Sequence, residues 1–230
     1  MKSILIKGKK FTYQIKRKAS TNLRLRLTSL NSFYVSCPSF TPTFIVHRFI
    51  QKNLDWIATN STKLKPKKRI LSLKSLKILG VKYQLFFTKS QQDSLVIFPD
   101  KHQIHLNLSK YSSKYAKGLL EKKLRPLARQ LINQHLRELA KQHNFKYNKV
   151  SIRNQSSRFG SCSSQGNLNF NWQIIFFPKS KFRHILLHEL THLKVNNHSK
   201  DFWQKLTTYD SSAKANNKWL KEEGTKYLIF

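Results

Sequence analysis

Residues 188–192 read His-Glu-Leu-Thr-His, and this run constrains the fold more than any other part of the chain. It lies among Ile185, Leu186, Leu190 and Leu193, whose spacing predicts a helix with one buried face. Residues four apart on a helix share a face, so both imidazoles can reach one metal ion. Glu189, beside the first of them, is placed to accept a proton from a water that such an ion polarises. A tetrahedral site with one open position needs a third protein ligand. His184 extends the histidine stripe, but eight residues of helix separate it from His192 by ~12 Å, so three rings on one straight helix do not converge. The chain must therefore turn back. His198 follows six residues after His192, with Asn196 and Asn197 between them. Asparagine tolerates the left-handed conformation that ends helices, so a helix stopping after Val195 returns His198 to the ion. The alternative third ligand is a carboxylate further on, Glu222 or Glu223. His184 then either backs a ligand or lies at the surface near the mouth of the site.

The rest of the chain reads as an α+β protein. Alternating apolar residues predict strands over 11–37, and Pro38 and Pro42 close that pattern. A helix is expected from about Thr43 to Thr59, and the basic run Lys63–Arg69 around Pro66 is the best linker candidate. A second β-rich stretch covers about 70–108, with Leu79-Gly80 in a turn. Leucines at helical spacing from about Lys114 to His143 predict a long helix that Pro126 either kinks or divides. Leu168, Phe170, Trp172 and Ile174 alternate, so 166–177 reads as a strand; Pro178 ends it and the histidine-bearing helix opens near Ser180. The expected organisation is a β-rich N-terminal lobe over 1–110 and a metal-binding core over 111–230, or one continuous domain.

Charge and cysteine content narrow the setting. The chain of 230 residues carries 44 Lys+Arg against 10 Asp+Glu, a formal net charge of +34. Such a balance favours attraction to polyanions, a nucleotide or a nucleic acid, although lysine-rich composition alone gives the same number. Cys37 and Cys162 make no disulfide framework. The N-terminal apolar run is too short for a signal-peptide core and no stretch approaches the ~20 apolar residues of a membrane span, so a soluble, cytoplasmic protein with no membrane partner is expected.

Arg158-Phe159-Gly160-Ser161-Cys162-Ser163-Ser164, then Gly166-Asn167-Leu168-Asn169-Phe170-Asn171-Trp172, resembles the YgjP-like family of zinc-dependent metallopeptidases, and residues 188–203 look like its signature. The resemblance covers nearly the whole chain, with residues 156–203 its most specific part. It implies a zincin-like core related to the WLM and SprT-like proteins: a helix carrying H-E-x-x-H, packed on a small sheet. It also implies Zn2+ held by His188, His192 and His198, with Glu189 as catalytic base.

Around that core, Arg158 is a candidate for an anion or a peptide carboxylate. The strand 166–177 suits pairing with an extended peptide, its edge shaped by Asn169 and Asn171, which otherwise only terminate or bulge it. These two asparagines, Arg158 and His184 are the candidate substrate-binding residues. Cys162 reads as a partly buried structural thiol. Three functions fit. The first is a metallopeptidase acting on peptides or proteins. The second is a metal-dependent nucleoside triphosphate pyrophosphatase of the UTP type on the same site. The third is a nucleic-acid-associated, SprT-like protease.

Overall fold

The computed structural model describes residues 2–63, 70–155 and 158–229. Residues 64–69 of the expected linker lie outside the described residues. The chain divides into two compact units, Met1–Lys67 and Lys68–Phe230.

The first unit opens with β1 (Lys2–Ile6) and β2 (Lys9–Lys18), joined by Lys7 and Gly8 at φ 47° and 76°. Two successive positive φ angles match the right-handed twist of the flanking strands, which is why a Lys-Gly pair closes this hairpin. With β3 (Arg24–Ser29) and β4 (Ser32–Pro38) they form a sheet in the order β1-β2-β4-β3, in which β2 and β4 run parallel. Phe33, Val35 and Cys37 alternate into a core completed by Val46 and Ile50 of α1 (Thr43–Lys52) and by Ile57 of α2 (Leu54–Lys63). One helix was expected over 43–59. The chain instead breaks at Asn53, whose side chain donates to the Phe49 carbonyl at 2.7 Å and so competes with the helical ladder.

The second unit begins with the same arrangement. Strands β5 (Ser75–Ile78), β6 (Val81–Lys89), β7 (Ser94–Phe98) and β8 (Gln103–Leu108) pair in the order β5-β6-β8-β7, with β6 parallel to β8. Leu79 and Gly80, at φ 48° and 90°, repeat the Lys7-Gly8 turn. Helix α3 (Ser113–Gln142) follows, its first turn capped by the Ser112 hydroxyl. Pro126 does not divide it. The proline and Lys122, whose carbonyl loses its helical partner, both lie on the exposed face, where water can satisfy that carbonyl. Leu120, Leu124, Ala128, Ile132 and Leu136 of α3 share one core with Ile104, Leu106 and Leu108 of β8. That shared core places residues 70–108 in the same compact unit as the helices, so the division falls near residue 67 and not at 110.

The remaining elements build the site. A small sheet of β9 (Val150–Arg153), β10 (Gly160–Cys162) and β11 (Leu168–Asn171) has the order β10-β11-β9. The strand expected over 166–177 is shorter than its alternation suggested. Asn171 Oδ1 accepts from the Gln173 amide and turns the chain into a 3-10 helix, Trp172–Phe176, all of it buried. Helix α4 (Lys179–Thr191) packs on β10, and α5 (Lys200–Tyr209) and α6 (Ala213–Glu222) pack on α4. The fold is thus α+β, with the H-E-x-x-H helix against a small sheet. Among the described residues no helix is long and apolar enough to cross a membrane.

Candidate metal centre

Helix α4 starts directly after Pro178, whose fixed φ suits a helix entrance, and buries Phe182, Ile185, Leu186, Leu187 and Leu190. That burial fixes its rotation, and with it the direction of His188 and His192. The helix ends at Thr191, a turn earlier than expected. Leu193 N–H bonds the Leu190 carbonyl and Lys194 N–H that of Thr191, so a tightened turn ends it, and neither Asn196 nor Asn197 adopts positive φ. The chain then comes back over the helix. Ser199 caps α5, and His198, immediately before that cap, lies against His188 and His192, with ring centroids 4.9 and 4.7 Å away.

The ligand atoms of His188, His192 and His198 all lie within 4.8 Å of one another, and the Nε2 atoms of His188 and His198 are 2.9 Å apart. Nitrogens bound at 2.0–2.1 Å to a tetrahedral ion stand ~3.4 Å apart, so the cluster needs only small adjustments to hold one. The donor chemistry fits as well. Burial, reinforced by the neighbouring imidazoles, holds the His188 pKa down to about 3, so the ring is neutral and offers a lone pair. Nδ1 of His192 lies 3.1 Å from the Val195 carbonyl, which, as acceptor, fixes the proton on that nitrogen and leaves Nε2 as the ligand atom. Phe202 packs against His188, His192 and His198, with ring centroids 4.6–4.9 Å away, and limits their rotation. Neither Glu222 nor Glu223 joins a cluster of this kind among the described residues, and Glu223 pairs with Lys226.

Glu189 is 7% exposed, and burial pushes its pKa up to about 8. Its side chain fits because residue 160 is glycine: a Cβ there would sit 2.7 Å from both Cγ and Oε1 of Glu189. Sequence reasoning did not single out Gly160, although the Phe-Gly-Ser-Cys run contains the signal. Beside His188 and Glu189 opens a cavity of about 200 Å³, its walls apolar at Phe159, Ile185 and Leu220, with Asn217 and the cations Arg158 and Lys221 also lining it.

The other candidate residues divide. Arg158 is exposed and lines this cavity. Asn169 is half-buried and donates to Ser161 Oγ at 3.4 Å. Asn171 is fully buried and donates to the carbonyls of Gln155 and Arg158. The edge-strand expectation moves, because β11 is the central strand and β10 is the outer strand beside α4. His184 is 0% exposed, which excludes the surface reading; its Nδ1 meets Asp210 Oδ2 at 2.6 Å and its ring approaches His188 at 6.0 Å. Cys162 is partly buried, and burial, with Glu189 nearby, raises its thiol to about 11, as suits a structural cysteine.

The profile of the YgjP-like, metallopeptidase domain family matches residues 21–223. The chain belongs to this family. Among solved structures, this YgjP-like chain is similar to two metallopeptidase zymogens, abylysin of Pyrococcus abyssi and jannalysin of Methanocaldococcus jannaschii. Sequence identity is 20% and 21%, and both matches cover 40% of this chain and 95% of the other at a TM-score of 0.36. No curated protein matches the sequence.

Proposed function

We propose that the protein is a zinc metallopeptidase, with the metal on His188, His192 and His198 and Glu189 as general base. The observation that carries this reading is the convergence of three imidazoles within 4.8 Å beside one buried carboxyl. Zinc held by these three imidazoles would supply Lewis-acid chemistry, lowering the pKa of a water toward ~7. Glu189 takes the proton from the attacking water and returns it to the leaving nitrogen. A carboxyl whose pKa is raised toward neutrality suits both halves of that transfer. An extended peptide adds to the outer strand β10, where main-chain hydrogen bonds hold the scissile bond across Glu189. One substrate side chain enters the apolar cavity between Phe159, Ile185 and Leu220.

Arg158 and Lys221 on that cavity favour a second reading, hydrolysis of a phosphoanhydride in a nucleoside triphosphate such as UTP. The test compares wild type with His188→Ala and Glu189→Gln for metal content and for cleavage of casein and UTP. The expected result is about one zinc per chain in wild type and Glu189→Gln, none in His188→Ala, and casein cleavage lost in both variants. Wild type that stays metal-free after zinc reconstitution overturns the proposal, and Glu189-dependent cleavage of UTP alone replaces it with the second reading.

A further inference from the structure

The exposed face of α3 carries a feature that the metal centre does not use. Lys122, Arg125, Arg129 and Arg137, with Gln130, Asn133 and Pro126, line a shallow open groove along the helix. From Lys122 to Arg137 is fifteen residues, so these cations extend over ~22 Å of helix axis. The chain has 11 arginines among its 44 basic residues, yet arginine supplies three of the four cations here.

The local carboxylates neutralise the row only in part, and the Asp93 pKa is held down chiefly by hydrogen bonds from Ser109 and Tyr115, with Lys122 adding a smaller attraction. Glu121 lies 3.9 Å from Arg125 and accepts from Asn154 at 3.0 Å; Glu138 accepts from Gln134 and lies 3.3 Å from His135. Arg125 is further engaged with the Ile152 carbonyl. Lys122, Arg129 and Arg137 make no ion pair among the described residues.

We infer that this face of α3 is a docking surface for the phosphate backbone of a double-stranded nucleic acid. Three observations select that occupant. Arginine's planar fork matches phosphate oxygens and is weakly hydrated, so it is the residue expected where phosphate is bound. No aromatic side chain lines the groove, so it offers nothing for unstacked bases, as a single-strand site does. The apolar side of α3 is committed to the core, which leaves no face to enter a bilayer as an interfacial helix must. Four cations spread over ~22 Å of a straight helix can contact backbone phosphates without reading sequence. This inference stands apart from the hydrolytic reading, because none of its residues belongs to the metal centre.

The test measures binding of the metal-loaded full chain to a 20-base-pair DNA duplex over a range of salt concentrations. Wild type is compared with Lys122→Ala/Arg129→Ala/Arg137→Ala and with Lys9→Ala/Lys10→Ala/Lys18→Ala, which loses the same three charges from exposed positions of the first unit. The groove variant is expected to bind at least roughly tenfold more weakly, with the slope of log affinity against log salt reduced by about 3. The control is expected to stay within about twofold of wild type. Equal losses in the two variants overturn the inference, since they mean that only net charge matters. Absence of duplex binding by wild type, or preference for the single strand or for anionic vesicles over the duplex, overturns it as well.

Discussion

Replacing Asp210 by alanine removes the centre of a buried polar network that ties α4 to the turn between α5 and α6. Its Oδ2 accepts from His184 Nδ1 at 2.6 Å and from Asn216 Nδ2 at 2.9 Å, and its Oδ1 from the Ser212 amide at 3.2 Å. Asn216 in turn accepts from Lys181 of α4. The His184 and Asp210 side chains are 0% and 10% exposed, so water does not replace the lost partner. Each buried donor left unsatisfied costs about 1–3 kcal/mol, and His184 and Asn216 both lose one acceptor. Together the two unsatisfied donors cost about 2–6 kcal/mol, and that is the expected loss. The assay is urea unfolding of the metal-free protein in a Trp56→Phe background, which leaves Trp172, Trp203 and Trp219 to report on the second unit alone. Burial lowers the His184 pKa against the opposing hydrogen bond to Asp210, so the ring is neutral at pH 7 and the cost is one of hydrogen bonding. His184→Phe/Asp210→Leu, which removes both members of the pair, should therefore lose less than Asp210→Ala alone. A loss below about 1 kcal/mol in Asp210→Ala, or a double variant less stable than the single, refutes the reasoning.

Two further outcomes follow from the site. Gly160→Ala puts a methyl 2.7 Å from the Glu189 side chain and forces it aside; hydrolysis should fall by about 10²-fold or more while zinc content and fold are kept, since a displaced base loses general-base catalysis. The Glu189 carboxyl, at about 8 in the folded metal-free protein against an ordinary 4.5, binds its proton more tightly folded than unfolded. Its folded-state preference is therefore fully present below about pH 4.5 and is lost as pH rises to about 8. Glu189→Gln should stabilise the metal-free protein by a few kcal/mol at pH 8 and change little at pH 4.5, and pH-dependent urea titrations that show equal effects at both values refute the assignment.

The histidine cluster was legible in sequence because its residues are local. His188 and His192 are one turn apart on a helix whose buried face is written in the surrounding leucines, and His198 follows within ten residues of the first. The reversal that brings His198 back was legible too, but not its means, because a tightened helical turn and a left-handed asparagine leave the same spacing. Gly160 was harder to see. It approaches Glu189 from a different strand, and only the packing of β10 on α4 reveals the room that the carboxyl needs. Asn171 and His184 stayed open between two readings for a related reason: a polar residue looks available in sequence until tertiary structure supplies its partners, the Gln155 and Arg158 carbonyls for one and Asp210 for the other.

Elements whose signals repeat at short range can be read from the chain alone: the alternating strands, the long leucine-striped α3, the H-E-x-x-H helix and the histidine that follows it. Tertiary structure decided the associations. Residues 75–108 repeat the four-strand order of residues 2–38, around turns at Lys7-Gly8 and Leu79-Gly80, although the two segments share little beyond those turns. Strand order depends on which edges meet, and an alternating pattern marks a buried face without naming its partner. The same limit explains the boundary near residue 67. Leu106 and Leu108 announce only that something covers them, and it is α3, across a turn in the chain, that does.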